Sequence, residues 1–145
     1  MAYNVLVVED TPDWRAKLVG YLVETGEYNV HEAGDYETAA GVIEDQPLDV
    51  ALIDIRLIDW DEKNEQGMEL LQQLDEVAEI NGTQAIVVTG YGTQERMREA
   101  FRDHGVVDFI AKQKFDPEEF KRTVLEAAER AHEVRGEITD KKYPK

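Results

Sequence analysis

The sequence predicts an α/β fold: a doubly wound, five-stranded parallel sheet in the strand order 2-1-3-4-5, with helices on both faces. Three observations predict it. Short apolar runs alternate five times with segments of helical period. Four of those runs are nearly continuous in Val, Ile and Leu, the pattern of strands buried on both faces. The resulting βα units follow one another in series, which builds a parallel sheet rather than hairpins.

The strands are expected at Tyr3–Val8, Tyr28–Glu32, Leu48–Ile53, Gln84–Thr89 and Val107–Ile110. The second is the most polar and suits a sheet edge. Thr11 stands where it can cap the first helix, with Pro12 opening it and Gly26 following its end. Asp35 begins a second helix that runs to about Asp45, ahead of Pro47. A third covers about Met68–Ile80, with Leu70, Leu71, Leu74 and Val77 on one face, and Asn81-Gly82 stops it. A fourth is expected from about Thr93 to His104. Asp116-Pro117-Glu118-Glu119 opens the fifth as a capping box, and Phe120, Val124, Ala127, Ala128, Ala131 and Val134 recur at helical spacing. The reading divides the chain into a domain over 1–135 and a polar tail over 136–145. Arg56–Gly67 is a long polar loop whose acids miss the register of a calcium-binding EF-hand loop.

Bulk properties exclude several classes. With 145 residues, 42% of them hydrophobic and 33% charged, the chain can bury a full core as one soluble domain. There is no cysteine, hence no disulfide framework and no thiolate ligand or nucleophile. His31, His104 and His132 lack ligand spacing and read as surface or helix-end histidines. A formal net charge of −16 repels phosphate backbones and anionic lipid, so the expected partners are proteins, not nucleic acid or membrane. No apolar stretch approaches the roughly 20 residues that cross a bilayer, and the N-terminus has no secretory signal, so a cytoplasmic location is expected.

Acidic residues mark the functional end. In an open α/β sheet a site forms beyond the carboxyl ends of the strands where strand order reverses, here between the first and third. Glu9 and Asp10 follow the first strand and Asp54 closes the third. Crowded carboxylates repel unless a proton or cation intervenes, and an oxygen-only set without His or Cys suits Mg²⁺. Thr89 and Lys112 emerge at the same edge. Carboxylates, a divalent ion, a hydroxyl and an ammonium together suit a phosphoryl group, with Asp54 as its nucleophile.

In this order the motifs Val-Val-Glu-Asp, Asp54, Thr89-Gly90 and Asp108-Phe109-Ile110-Ala111-Lys112 resemble the receiver domain of two-component response regulators, over Tyr3–Val134. The resemblance implies a flavodoxin-like (βα)5 fold of the single-domain type. It implies Asp54 as phosphoacceptor, Asp10 as direct Mg²⁺ ligand, Glu9 acting through metal-bound water, and the backbone carbonyl of Arg56 as a further ligand. Thr89 becomes the switch hydroxyl, Lys112 the phosphoryl partner and Phe109 an aromatic that changes rotamer, against the plainer reading of Phe109 as core. It further implies a sensor histidine kinase or phosphotransfer protein as donor and a downstream protein as target. A homodimer through the fourth predicted helix, fifth strand and fifth helix would also fit.

The sequence departs from the family pattern in three places. Gln113 stands where receivers usually carry proline, so a trans peptide and a rearranged loop are expected there. The loop after Asp54 is long, with Gly67 thirteen residues on and no Met-Pro. Glu replaces Asp at position 9. None of these removes a reactive group. The expected function is a stand-alone phosphorylation switch, not a turnover enzyme, with Tyr91 shielding the acyl phosphate from water. The rivals are a receiver-like scaffold that works without phosphorylation and, less favoured because Arg56 replaces a second carboxylate, an aspartate-nucleophile phosphatase.

Overall fold

The computed structural model describes residues 2–54, 66–90 and 105–142, with the side chains of Gln66, Met68, Thr89 and Lys142 set aside. Five strands, β1 (Tyr3–Val8), β2 (Tyr28–Ala33), β3 (Val50–Ile53), β4 (Gln84–Thr89) and β5 (Val106–Ala111), form one parallel sheet. Its order is β2-β1-β3-β4-β5, as the sequence predicts. The described helices are α1 (Pro12–Thr25), α2 (Tyr36–Asp45), α3 (Gln66–Asn81) and α4 (Pro117–Lys142), with a 3₁₀ turn at Lys112–Lys114. The helix expected over Thr93–His104 lies outside the described residues, as does most of the loop expected over Arg56–Gly67.

The period-two alternation of strand side chains splits the core into two layers. Leu6, Val8, Ala51, Ile53 and Val87 face α2 and α3, where Ile43, Leu70, Leu71 and Leu74 complete the layer. Val5, Val7, Val50, Leu52, Ile86 and Val88 face α1 and α4, meeting Leu18, Leu22, Phe120 and Val124. A buried Leu or Val side chain contributes about 1.5–3 kcal/mol. Because the central strands bury both faces, polar groups are left to the sheet's two ends.

Helix ends follow local chemistry, with one correction. The Asp35 side chain accepts from the Thr38 backbone N–H at 2.8 Å, and Gly26 closes α1 at φ +72°. Asp116 accepts from the Glu118 N–H at 3.0 Å. Thr11 occupies the N-cap of α1 but its hydroxyl makes no capping bond; its own N–H donates instead to the Glu9 carboxylate at 3.1 Å. α4 runs on through Lys142, across the boundary expected at 135. The helix passes through Gly136, a weak helix former, because Arg135 is anchored at the Asn81 carbonyl and Asp49.

At the amino end of the sheet Asp49 is buried and fully engaged. It accepts from the Asn4 backbone N–H at 2.7 Å and pairs with Arg135 at 2.8 Å and His132 at 3.0 Å. Arg135 also donates to the Asn81 carbonyl at 2.9 Å, and Gly82, at φ +80°, leaves no room for a side chain against the Ala131 carbonyl. This clamp fastens the second half of α4 beneath β1 and β3. Replacing Arg135 with Ala leaves Asp49 short of a donor, so a loss of about 2 kcal/mol is expected, read as a melting temperature lower by about 7 °C in a thermal unfolding curve.

Candidate functional site

Register brings the reactive groups together at the carboxyl rim. Val8 pairs with Ile53, so Glu9 and Asp54 leave their strands level with one another. Ile53 pairs with Val87, and Thr89 with Ala111, so Lys112 leaves β5 one step past the end of β4. It must reach back across β4 to meet Asp54, a distance that a long aliphatic stem can cover. Its ammonium lies 2.7 Å from Glu9 Oε2 and donates to Asp54 Oδ2 at 3.2 Å.

The site is dry below and open above. Glu9 and Asp54 are each 1% exposed and the Lys112 side chain 7%, whereas Asp10 faces solvent. One oxygen from each of Glu9, Asp10 and Asp54 lies within 4.8 Å of the others. Glu9 Oε1 takes the Thr11 N–H, but Oε2, although close to Lys112, lies off the line of a hydrogen bond and accepts none among the described residues. Burial first, and then the neighbouring Asp54, push the Glu9 carboxyl up to about 7 against the pull of Lys112. Among the described residues one ammonium therefore serves two buried carboxylates.

That donor set fits a hard divalent cation. Three carboxylates each offer an oxygen within 4.8 Å of the others, and one buried carboxylate oxygen has no hydrogen-bond donor among the described residues. Histidine and cysteine are absent from the cluster.

The remaining expected residues divide as follows. Thr89 ends β4 at this rim. Phe109 is half-buried on β5 against the α2–α3 layer, the packing that the plainer reading expects. Arg56 and Tyr91 lie outside the described residues. Three contributors escaped the sequence reading. Arg15 donates to the Glu9 carbonyl at 2.9 Å and would collide with any side chain at Gly34. The Trp14 ring lies 5.0 Å from the Lys112 ammonium, and its edge-on partner is Phe115. Gln113 donates its amide to the Gly90 carbonyl. Only Gln113 carried a signal, as the residue standing in the place of proline; the other two become visible once α1 is seen beside the β5 exit.

The sequence matches the response regulator receiver domain family over residues 5–125. The chain belongs to that family. No curated protein matches this receiver domain by sequence. Among solved structures it is similar to a CheY-like response regulator receiver domain protein from Methanospirillum hungatei JF-1, at 24% identity and a TM-score of 0.74, covering 92% of this chain and 98% of that one. It is also similar to NtrX from Brucella abortus, at 27% identity and a TM-score of 0.73, covering 97% of this chain but 29% of that one. The receiver domain of a sensor histidine kinase from Pseudomonas aeruginosa PAO1, described with a magnesium ion coordinated in its active-site cleft, is 22% identical with a TM-score of 0.68, covering 89% and 99%. As a receiver domain of two-component signalling, the chain sits among switches that work with histidine kinases and downstream effectors. No described helix is long and apolar enough to cross a membrane.

The raised Glu9 carboxyl gives this receiver domain a testable pH dependence. In the folded chain it holds its proton up to about 7, against an ordinary 4.5. The folded state thus binds more protons between those values, and Glu9's contribution, full below pH 4.5, is lost as pH rises through 7. Asp35, held below its ordinary 3.8 by the Thr38 N–H, titrates beneath this window. In metal-free buffer the unfolding temperature of the parent should fall between pH 5 and pH 8, and Glu9→Gln should flatten that fall; parallel slopes in the two proteins would refute the assignment.

Proposed function

We propose that this receiver domain is a phosphorylation switch that accepts a phosphoryl group on Asp54 in a Mg²⁺-dependent reaction. The observation carrying this reading is the buried Lys112 ammonium held between Asp54 and Glu9 at the reversal point of the sheet. Asp54 attacks phosphorus through a carboxylate oxygen. A bond from Asp54 to phosphorus forms as the bond from phosphorus to the donor's imidazole nitrogen breaks, and that nitrogen keeps the electron pair. Lys112 neutralises charge on the phosphoryl oxygens, and Thr89 supplies a hydroxyl donor from the end of β4. Asp10 and Asp54 would hold the magnesium ion with the Arg56 backbone carbonyl, and Glu9 would act through its water. When bound, the ion supplies further positive charge to this cluster.

The charge change acts on neighbours already in place. Glu9 and Asp54 share one ammonium, so a phosphoryl group on Asp54 competes for Lys112 and draws Thr89 inward. Phe109, half-buried on β5, is the residue whose packing changes with it. A sensor histidine kinase or phosphotransfer protein is the proposed donor, and a protein target or a second copy of this chain takes the output at the β5–α4 face. The net charge of −16 supports protein partners over nucleic acid.

Incubation with acetyl phosphate and Mg²⁺ tests the reading by intact mass. The parent should gain one phosphoryl group, Asp54→Ala none, and Lys112→Ala should form the adduct about a hundredfold more slowly. Release of phosphate without an adduct would support the phosphatase reading instead. No reaction at all would leave a receiver fold that works as a scaffold.

A further inference from the structure

We propose that Gln113 is a positioning residue that ties the Thr89–Gly90 turn to Lys112, so that the two groups meeting the phosphoryl oxygens are set as one unit. This inference rests on the phosphoacceptor reading above and adds a residue to it.

Four observations converge. No described peptide bond is cis, and Lys112–Lys114 close into a 3₁₀ turn in which the Phe115 N–H donates to the Lys112 carbonyl at 3.3 Å. From this turn the Gln113 amide donates to the Gly90 carbonyl, one residue beyond Thr89. Gly90 in turn faces the lysine stem: a Cβ placed there would lie 3.6 Å from Lys112 Cδ and 3.8 Å from its Cβ. Beside the ammonium is Trp14, 5.0 Å from ring centroid to Nζ, itself in edge contact with Phe115 at 5.5 Å between centroids.

Lys112 therefore lies near both backbone and indole. Gln113 is exposed, so burial does not hold its side chain in place; the hydrogen bond does. A strand-end turn without proline has more freedom at its φ angles. The amide replaces that restraint with a link to the neighbouring strand's exit. Any inward movement of Thr89 carries the Gly90 carbonyl with it, and through Gln113 moves the backbone from which Lys112 springs.

The test compares Gln113→Ala and Gln113→Met, the second keeping length and neutrality while losing the donor. Each is made in a Trp60→Phe background that serves as the reference and leaves Trp14 as the sole indole. Both variants should form the acetyl phosphate adduct about tenfold more slowly at saturating Mg²⁺, the size of one lost hydrogen bond. Their Mg²⁺ affinity, read from Trp14 fluorescence, should stay within about twofold of the reference, because the carboxylates are untouched. In metal-free, phosphate-free buffer, Trp14 emission should shift in both as Lys112 loosens beside the ring. Adduct formation by Gln113→Met at the reference rate would overturn the proposal. Parallel losses of rate and Mg²⁺ affinity would overturn it too, since they would show general disruption of the rim. If the reference forms no adduct, the phosphoacceptor reading fails, and the Trp14 shift alone then decides whether Gln113 holds Lys112.

Discussion

The structure turns on one buried ammonium that, among the described residues, is shared by two buried carboxylates at one end of a parallel sheet. Glu9 and Asp54 leave neighbouring strands level with one another because Val8 pairs with Ile53, and both are buried. Two unit charges about 4 Å apart repel by about 4 kcal/mol at the effective dielectric of a protein site, which an ammonium within 3.2 Å of both outweighs, so the cost that remains is mainly that of burying the carboxylates. The chain answers in two ways. Lys112 reaches back from β5 to touch both, and Glu9 keeps its proton up to about neutrality. A buried carboxylate cluster that keeps a proton near neutrality is chemically ready for a cation in its place. The shared ammonium makes an arriving phosphoryl group a competitor for Lys112, so electrostatics and switching come from one arrangement.

The sheet's other end shows the contrasting solution. Asp49 is as buried as Asp54, yet it is met by the Asn4 N–H, Arg135 and His132 together. Its charge is balanced and its lone pairs are occupied, so it serves to fasten α4. Breaking such a pair is costly because the survivor is left buried without a partner. Glu9 pairs at 2.7 Å with an ammonium that also donates to Asp54, so the pairing at this end is shared between two carboxylates. Position alone does not separate a structural carboxylate from a reactive one; here the sharing of Lys112 marks the difference between the two ends of the sheet.

How legible this was in the sequence depended on the range of each interaction. The β order and the convergence of Glu9, Asp10, Asp54 and Lys112 were readable, because strand-end position fixes where a side chain emerges once the sheet is parallel. Thr11 takes the N-cap position that its residue type favours, but its hydroxyl makes no capping bond; what the sequence did not show is that its own N–H donates to the Glu9 carboxylate. The Asp49 clamp was missed because its partners stand 45 and 86 residues away. Asp49 does leave a trace, a lone acid beside an apolar run, and such a residue needs a buried donor. His132 read as a surface histidine for the same reason: its partner comes from β3's approach, which helical spacing does not reveal. The extent of α4 was hidden differently. Gly136 and the polar residues after it looked like a tail, yet Arg135 anchors the turn from which the helix continues.

The exit from β5 shows how one substitution can alter the mode of control without altering the chemistry. A proline after the lysine restrains the turn covalently, within its own ring, whatever the rest of the rim is doing. Gln113 restrains it through a hydrogen bond to another strand, and that bond exchanges with water at modest net cost. Lys112 is thereby placed by the state of the Gly90 backbone and not by its own chain alone. Trp14, in edge contact with Phe115, fixes no direction of its own, since an indole beside an ammonium attracts it but sets no single angle. A lysine held this way can follow the β4 turn over short distances while keeping its charge between Glu9 and Asp54. Coupling of that kind needs no pathway through the core: the two strand exits are adjacent, and a single amide spans them.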